Sequence, residues 1–241
     1  MRLLALDTAT ERMAVALADG EAELLLNAEG GAAASATLLP AVLAQLAERQ
    51  MHPADLQAIA FGCGPGAFTG LRTAVSVAQG LAFGIGCPVL AISSLLIVAE
   101  DARQQAGVPP GEPFAIWVAM DARMDEVYAA AYRFDGEQWH ETSAPALYDL
   151  PTLQAVWQGQ PPVKVAGSAI TAFAERLPLG AAQPWPQVAN RAAALLRLAR
   201  WAWAHGPHLP ADQALPLYLR DKVALTTAER EAARHAAASL P

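Results

Sequence analysis

Gly62-Cys63-Gly64-Pro65-Gly66-Ala67-Phe68-Thr69-Gly70-Leu71-Arg72 places four glycines within eleven positions, between two stretches of opposite character. Ala58 to Gly62, just before it, reads as a buried strand, and the residues after it, with Thr69 as a cap, read as a helix running to about Gly84. A strand end, a glycine loop and a helix start in direct succession are the mark of an α/β unit. Such a loop can turn backbone amides and a helix N-terminus toward an anion. The same glycines also suit a tight turn that packs closely on its neighbours. The loop is not of the Walker type, because no lysine followed by serine or threonine comes after the glycines.

Working outward, Arg2 to Asp7 reads as a short buried strand and Met13 to Ala18 as a second. Asp19-Gly20 is a hairpin dipeptide leading into a third strand, Glu21 to Asn27. Ser35 is placed to cap a helix through Arg49, with Pro40 near its first turn. Pro88 to Ile92 is a further strand, and Ser93 or Ser94 opens a helix ending near Gln105. Gly107-Val108-Pro109-Pro110-Gly111 then punctuates the chain. Beyond it the pattern repeats: strand Phe114 to Met120 ending in Asp121, strand Glu126 to Phe134, Asp135-Gly136, and a third strand from Glu137. A helix near Leu150 to Gln158, a strand Val163 to Gly167, a helix from Ser168 and a long helix Ala189 to His205 complete the echo. The expected organisation is two mixed-sheet units flanked by helices, residues 1–106 and 107–223. The remainder, 224–241, is expected to be a flexible tail, because it has almost no bulky apolar side chains to bury.

Composition narrows the function classes. The formal charge is −7 and lysine and arginine do not cluster, so a chain that grips RNA unaided is not expected; any RNA would be held by something else. No apolar run approaches the roughly 20 residues of a membrane helix. A strand beginning at Arg2 argues against an export leader, and with two lone cysteines, Cys63 and Cys87, the expectation is a cytoplasmic protein without disulfides. The histidines form no metal-binding pattern: His205 and His208 are separated by Gly206-Pro207 and share no helical face. Trp185, Trp201 and Trp203 sit among apolar neighbours and are expected in the core.

Two sets of residues remain as candidates. Asp7-Thr8 ends the first strand, where a carboxylate can hold a metal-bound phosphate or simply bond nearby amides; Asp121-Ala122-Arg123 occupies the matching place in the second unit. With Asp7 and Thr8, the loop residues Gly64, Gly66, Thr69, Gly70 and Arg72 make up a candidate phosphate contact. The second set is apolar. Helix 35–49 carries Leu38, Val42 and Gln45 on one line and Leu39, Leu43 and Leu46 on the next, wider than one sheet-facing stripe. Helix 69–84 repeats this with Leu71, Val75, Ala78 and Ala82, while Ala74, Ala78 and Gly80 would let another helix approach closely. These helices offer an interface, or else they are covered by the chain's own C-terminal helix.

The loop and its companions resemble the TsaB (YeaZ) family. The family's Gly-Pro-Gly-Ser-Phe-Thr-Gly-Leu-Arg motif stands here as Gly64 to Arg72, with Ala67 in the serine place. Leu3 to Thr8 resembles its opening strand, Leu38-Leu39-Pro40 its first helix, Met120 to Tyr128 its Asp-Ala-Arg segment, and Pro216 to Asp221 its closing Pro-x-Tyr-Leu-Arg. The histidine usual before Leu38 is missing. The resemblance implies the duplicated fold of actin, Hsp70 and sugar kinases. It also implies a non-catalytic subunit of the machinery that makes N6-threonylcarbamoyladenosine (t6A) on tRNA, one that pairs with TsaD through the two N-terminal helices, with TsaE joining and a homodimer forming in isolation. TsaD holds its metal with paired histidines, which this chain lacks; the implied cofactors are none of its own, with ATP or ADP at most at a shared interface. The alternative on the same fold is an ATP-dependent kinase or phosphotransferase using Asp7 and the glycine loop, against which stands the poor second phosphate loop, Val165 to Ser168. A metalloprotease lacks ligands.

Overall fold

The computed structural model describes residues 1–220, so the expected tail 224–241 and Asp221 lie outside the described residues. The chain forms two five-stranded sheets of the same plan. In the first lobe β1 (Arg2–Asp7), β2 (Arg12–Asp19) and β3 (Ala22–Glu29) are an antiparallel meander, and β4 (Ala58–Gly64) and β5 (Val89–Ser93) extend it parallel to β1, in the order β3-β2-β1-β4-β5. In the second, β6 (Phe114–Asp121), β7 (Glu126–Phe134) and β8 (Trp139–Asp149) repeat the meander, and β9 (Lys164–Ala166) and β10 (Gln183–Trp185) the parallel extension, in the order β10-β9-β6-β7-β8. Read from β8 to β10, that order repeats the first element for element. This is the duplicated actin-like α/β architecture.

Local chemistry explains most boundaries and corrects some. The β2–β3 hairpin turns on Gly20-Glu21, one position later than Asp19-Gly20, because Asp19 pairs with Ala22 and Gly20 alone takes positive φ (63°). Glycine at the first central position is what this mirror-image turn requires. Ser35 does not cap α1 (Ala34–Glu48): Ala33 holds the cap position without a side-chain bond. Nor does Thr69 cap α2 (Phe68–Ile85), which starts one residue earlier behind Ala67. Ser93 does cap α3 (Ser94–Gln105), accepting from Leu96 N. The helix expected from Ser168 is only α5 (Ala169–Phe173), and β10 was not anticipated; its three residues include a proline and offer no alternation to read.

Four apolar clusters hold the layers. On one face of the first sheet Leu4, Leu6, Val15, Leu17, Ile59 and Phe61 pack against α1 and α2. On the other, Leu3, Ala5, Ala14, Ala16, Ala58 and Ala60 receive α6 (Arg191–His205) through Ala192, Leu195, Leu196 and Ala199. The small side chains let that helix lie close. Helix α3 stands between the sheets, with Val98, Ala99 and Ala102 against Phe114, Ile116, Val118 and Tyr132 of the second. Helices α4 (Leu150–Gly159) and α5 cover the second sheet's remaining face, where Trp117, Val127 and Ala129 meet Leu153, Trp157 and Phe173. The last helix of each repeat therefore packs toward the other lobe's sheet. Among the described residues, those from 107 onward are not a self-contained unit: α6 follows the second sheet in sequence and completes the core of the first.

This packing corrects the reading of α1 and α2. Leu38, Val42, Leu46, Leu71, Val75 and Ala78 are buried against the first sheet and offer nothing to a partner. Ala74 and Ala82 are buried in the same cluster. Helix α6 does not cover them, since it lies on the sheet's opposite face. Leu39 (40% exposed) and Leu43 (47%), one residue or about 100° further round the helix, do point outward, and Phe83 at the end of α2 is 81% exposed. Trp185 is core as expected, but Trp201 is exposed and Trp203 is half-buried, stacked on His208.

Gly80 lies exposed within α2, and a Cβ there would meet nothing within 4 Å. Gly80→Ala is expected to stabilise the chain by about 0.5–1 kcal/mol, by lowering unfolded-state entropy. A denaturant titration checks this.

Candidate functional site

The two lobes face each other across a cleft of about 490 Å³. Its first wall is the turn after β1 (Ala9, Thr10, Glu11) and the loop Pro65 to Phe68; its second is Met120 to Arg123 with Ser168. Arg191 and Ser94 lie at its floor, and residues Leu217 to Arg220 run across its mouth.

Asp7 ends β1 beneath this cleft and is fully buried. Its Oδ1 accepts from Ser94 Oγ at 3.0 Å, and its Oδ2 is held by Arg191 Nε, itself 3% exposed. Ser94 Oγ in turn accepts from Gly64 N at 3.1 Å, so the first-strand aspartate, the glycine loop and two helix starts form one buried network. A carboxylate with both oxygens committed in this way is a structural anchor.

The loop glycines are needed for close approach. A Cβ on Gly70 would stand 1.8 Å from Thr8 O, one on Gly66 2.4 Å from Ala9 O, and one on Gly62 1.8 Å from Asp7 Oδ1. Thr8 Oγ1 donates to Gly70 O at 2.6 Å, and Ala67 N to Ala9 O at 2.8 Å. The loop is thus fitted against the β1–β2 turn. Of the candidate phosphate residues, only Gly66 lines the cleft. Asp7, Thr8, Gly64 and Gly70 are buried beneath it, while Thr69 and Arg72 lie on an outer groove, with the Arg72 guanidinium over the Phe68 ring and its Nε donating to Tyr218 OH at 3.1 Å. Burial, helped by the Asp7 charge, pushes the Cys63 thiol up to about 11, so it is protonated and a poor nucleophile at neutral pH.

Sequence reading singled out Asp121-Ala122-Arg123 and the segment from Pro216, but not that they tie the lobes together. Arg123 takes positive φ (65°) with Met124 and Asp125, and its guanidinium reaches across to Glu11 at 2.6 Å while also bonding its own Asp121 at 3.2 Å. Both ends of the Glu11 pair are exposed, which limits its worth to well under about 1 kcal/mol. Leu217 N donates to Cys63 O at 2.7 Å, Tyr218 packs on Phe68, and Arg220 donates to Ala122 O at 3.1 Å and pairs with Glu126. The segment 217–220 is therefore a strap from the first lobe to the second. Arg191 lies 184 positions from Asp7, so no spacing signal linked them. Its place at the start of an apolar helix was the one hint. Among the described residues no histidine lines the cleft: His52 opens a short 3₁₀ turn, His140 pairs with Asp135, and His205 and His208 bond carbonyls of Trp201 and Trp203.

A family profile described as TsaD, tRNA N6-adenosine threonylcarbamoyltransferase, matches residues 30–229. The chain is 31% identical over 245 residues to the tRNA threonylcarbamoyladenosine biosynthesis protein TsaB of Escherichia coli, covering 93% of this chain and 96% of that one. The chain belongs to the TsaB family. A solved structure described as YeaZ from Pseudomonas aeruginosa superposes with a TM-score of 0.79 at 36% identity, covering 90% of this chain and 99% of that one. A second from that organism, described as an uncharacterized protein with similarity to peptidase YeaZ, gives 0.80 at 37%, with 91% and 99% covered. The TsaB resemblance read from separate segments is explained by space: the opening strand, the glycine loop, the Asp-Ala-Arg turn and the closing strap all converge on this cleft. No helix among the described residues is long and apolar enough to cross a membrane.

Proposed function

We propose that this chain acts in t6A formation on tRNA as a non-catalytic subunit that docks and positions TsaD, with TsaE joining the assembly and tRNA held through it. The observation that carries the reading is the state of Asp7. In a phosphotransferase of this fold the first-strand carboxylate must be free to face a metal or phosphate; here it is sealed and doubly bonded by Ser94 and Arg191. The kinase alternative loses its central group. Docking is supported by the outward Leu39 and Leu43 and by the exposed Phe83, large apolar side chains that the chain's own packing leaves uncovered. The same face is the one available to a second copy when TsaD is absent.

The purified chain is expected to turn over no ATP and to modify no tRNA alone, while adding it to TsaD and TsaE restores modification. ATP turnover by the chain alone would sink the proposal. Leu39→Asp combined with Leu43→Asp is expected to weaken association with TsaD at least tenfold with little loss of stability, because both side chains are already partly in water. Unchanged association, read by calorimetric titration, removes this face from the interface. Val75 is unsuitable for such a test, since a charge there would enter the core.

A further inference from the structure

A hollow of about 640 Å³ opens between α3, α6, the linker that follows α3 and the β7–β8 hairpin, and it shares no lining residue with the inter-lobe cleft. Its volume falls within the roughly 300–1,000 Å³ of small-molecule sites. Among its lining residues Glu100 is 1% exposed, and both its oxygens are engaged. Arg103 donates to the two of them through Nε and Nη2 at 2.9 Å each, Gln104 to one at 3.0 Å and the Trp139 indole to the other at 2.9 Å. Arg197 brings a second guanidinium to the same carboxylate, its Nε 3.0 Å away. Two cations on one satisfied anion leave a positive excess. The donors that carry it are uncommitted: among the described residues neither Nη of Arg197 nor Nη1 of Arg103 makes a hydrogen bond, although the Arg103 side chain is only 10% exposed. The apolar walls are uncovered as well. Phe134, with the Arg103 guanidinium 4.5 Å from its ring centre, and Trp139 are half-buried, and Trp201 is 38% exposed. These walls are fixed without a ligand. Trp139 is held by Glu100 and by edge-on contacts to Phe114 and Tyr132, and Asp135 pins the hairpin by accepting from Glu137 N and Gln138 N at 2.9 Å. The hairpin also presses on the linker, since a Cβ on Gly136 would stand 2.4 Å from Gly111 O.

We infer that this hollow binds a small organic carboxylate with an apolar body, its carboxylate on the uncommitted donors of Arg103 and Arg197 and its body against Phe134, Trp139 and Trp201. A guanidinium has five N–H donors in one plane, so the Nε–Nη2 edge that Arg103 gives to Glu100 leaves Nη1 for a second acceptor. A carboxylate matches that planar geometry, and its charge answers the positive excess. A neutral ligand of the same shape leaves the excess unanswered. Inorganic phosphate leaves the aromatic walls in water, and its second charge meets Glu137, an exposed lining residue that pairs with no cation among the described residues. Binding here does not depend on TsaD, because the hollow lies beside α6, on the opposite face of the first sheet from α1 and α2.

The test is NMR titration of the full chain with hydrocinnamate, a phenyl ring on a short carboxylate chain, and with hydrocinnamamide, its neutral counterpart. Saturable binding of the acid is expected with a dissociation constant of about 1 mM or tighter, and at least tenfold weaker binding of the amide. The indole N–H signals of Trp139 and Trp201 are expected to move on saturation, while that of Trp157, buried on the far side of the second sheet, stays in place. Arg197→Met removes one cation from a side chain that is 61% exposed and leaves Glu100 bonded to Arg103, Gln104 and Trp139. It is expected to weaken the acid at least fivefold and to leave the amide unchanged. The comparison of acid with amide needs no variant and stands even if Arg197→Met does not fold. Absence of saturation, equal affinity for acid and amide, native affinity in a folded Arg197→Met, or unmoved Trp139 and Trp201 signals would each overturn the site. None of these outcomes bears on association with TsaD, which is read separately.

Discussion

Arg191→Met is expected to cost about 3–5 kcal/mol of folding stability, the usual penalty for removing one partner of a buried ion pair. The reason is what it leaves behind. Asp7 is fully buried, and without the guanidinium its Oδ2 has no donor; Ser94 satisfies only Oδ1. The pair itself contributes far less than this figure, since bringing two charges out of water offsets most of their attraction. The distinction is measurable. Asp7→Asn added to Arg191→Met should recover a large share of the loss, because the amide carries no charge and can still accept from Ser94. Urea titrations of the wild type, both single variants and the double variant give the cycle, with unchanged m-values confirming that native-state stability is what moved. A single-variant loss under about 1 kcal/mol would mean that water reaches Asp7 when Arg191 is removed. The carboxylate would then not be sealed, and Asp7 would be free to face a metal or phosphate as phosphotransfer requires.

How much of this was legible in sequence depended on how local the cause was. Glu126 to Phe134 reads as a strand over the bounds it takes, because the run and the Asp135-Gly136 stop that ends it are contained within eleven residues. The duplication was legible for the same reason, as two meanders of similar spacing. The side of α1 that faces the sheet was not. Leu38-Leu39 and Val42-Leu43 are adjacent apolar pairs, and periodicity cannot say which member of each is buried; only the sheet beneath selects Leu38 and Val42. Leu46 was grouped with the wrong line for that reason. The candidate site was half legible: the glycine loop and Asp7 are neighbours in space, as their motif character suggested. What the loop does there was hidden, since the atoms it fits are Thr8 O and Ala9 O, and backbone oxygens leave no trace in a sequence. Arg191 was invisible because its partner lies on β1 and it on α6, 184 positions apart.

Gly70→Ala is expected to be the most damaging single methyl group that can be added to the loop, with a loss of about 3 kcal/mol or more, the upper end of what overpacking costs. The added carbon would stand 1.8 Å from Thr8 O, a backbone atom that cannot rotate away. Relief requires α2 to lift from the β1–β2 turn, and that motion breaks the 2.6 Å bond from Thr8 Oγ1 to Gly70 O and strains the Ala67 to Ala9 contact beside it. It would also disturb Gly64 N, which donates to the Ser94 hydroxyl that holds Asp7. The control is Gly80→Ala in the same helix, where a methyl group meets nothing and stability should rise. Opposite signs for the two substitutions, measured in one set of denaturation curves, would tie the effect to contact with the turn, helix propensity being common to both. If instead Gly70→Ala folded at native stability, the loop would be free to stand off from β1, and its glycines would be serving a ligand's approach to the backbone instead of the chain's own packing.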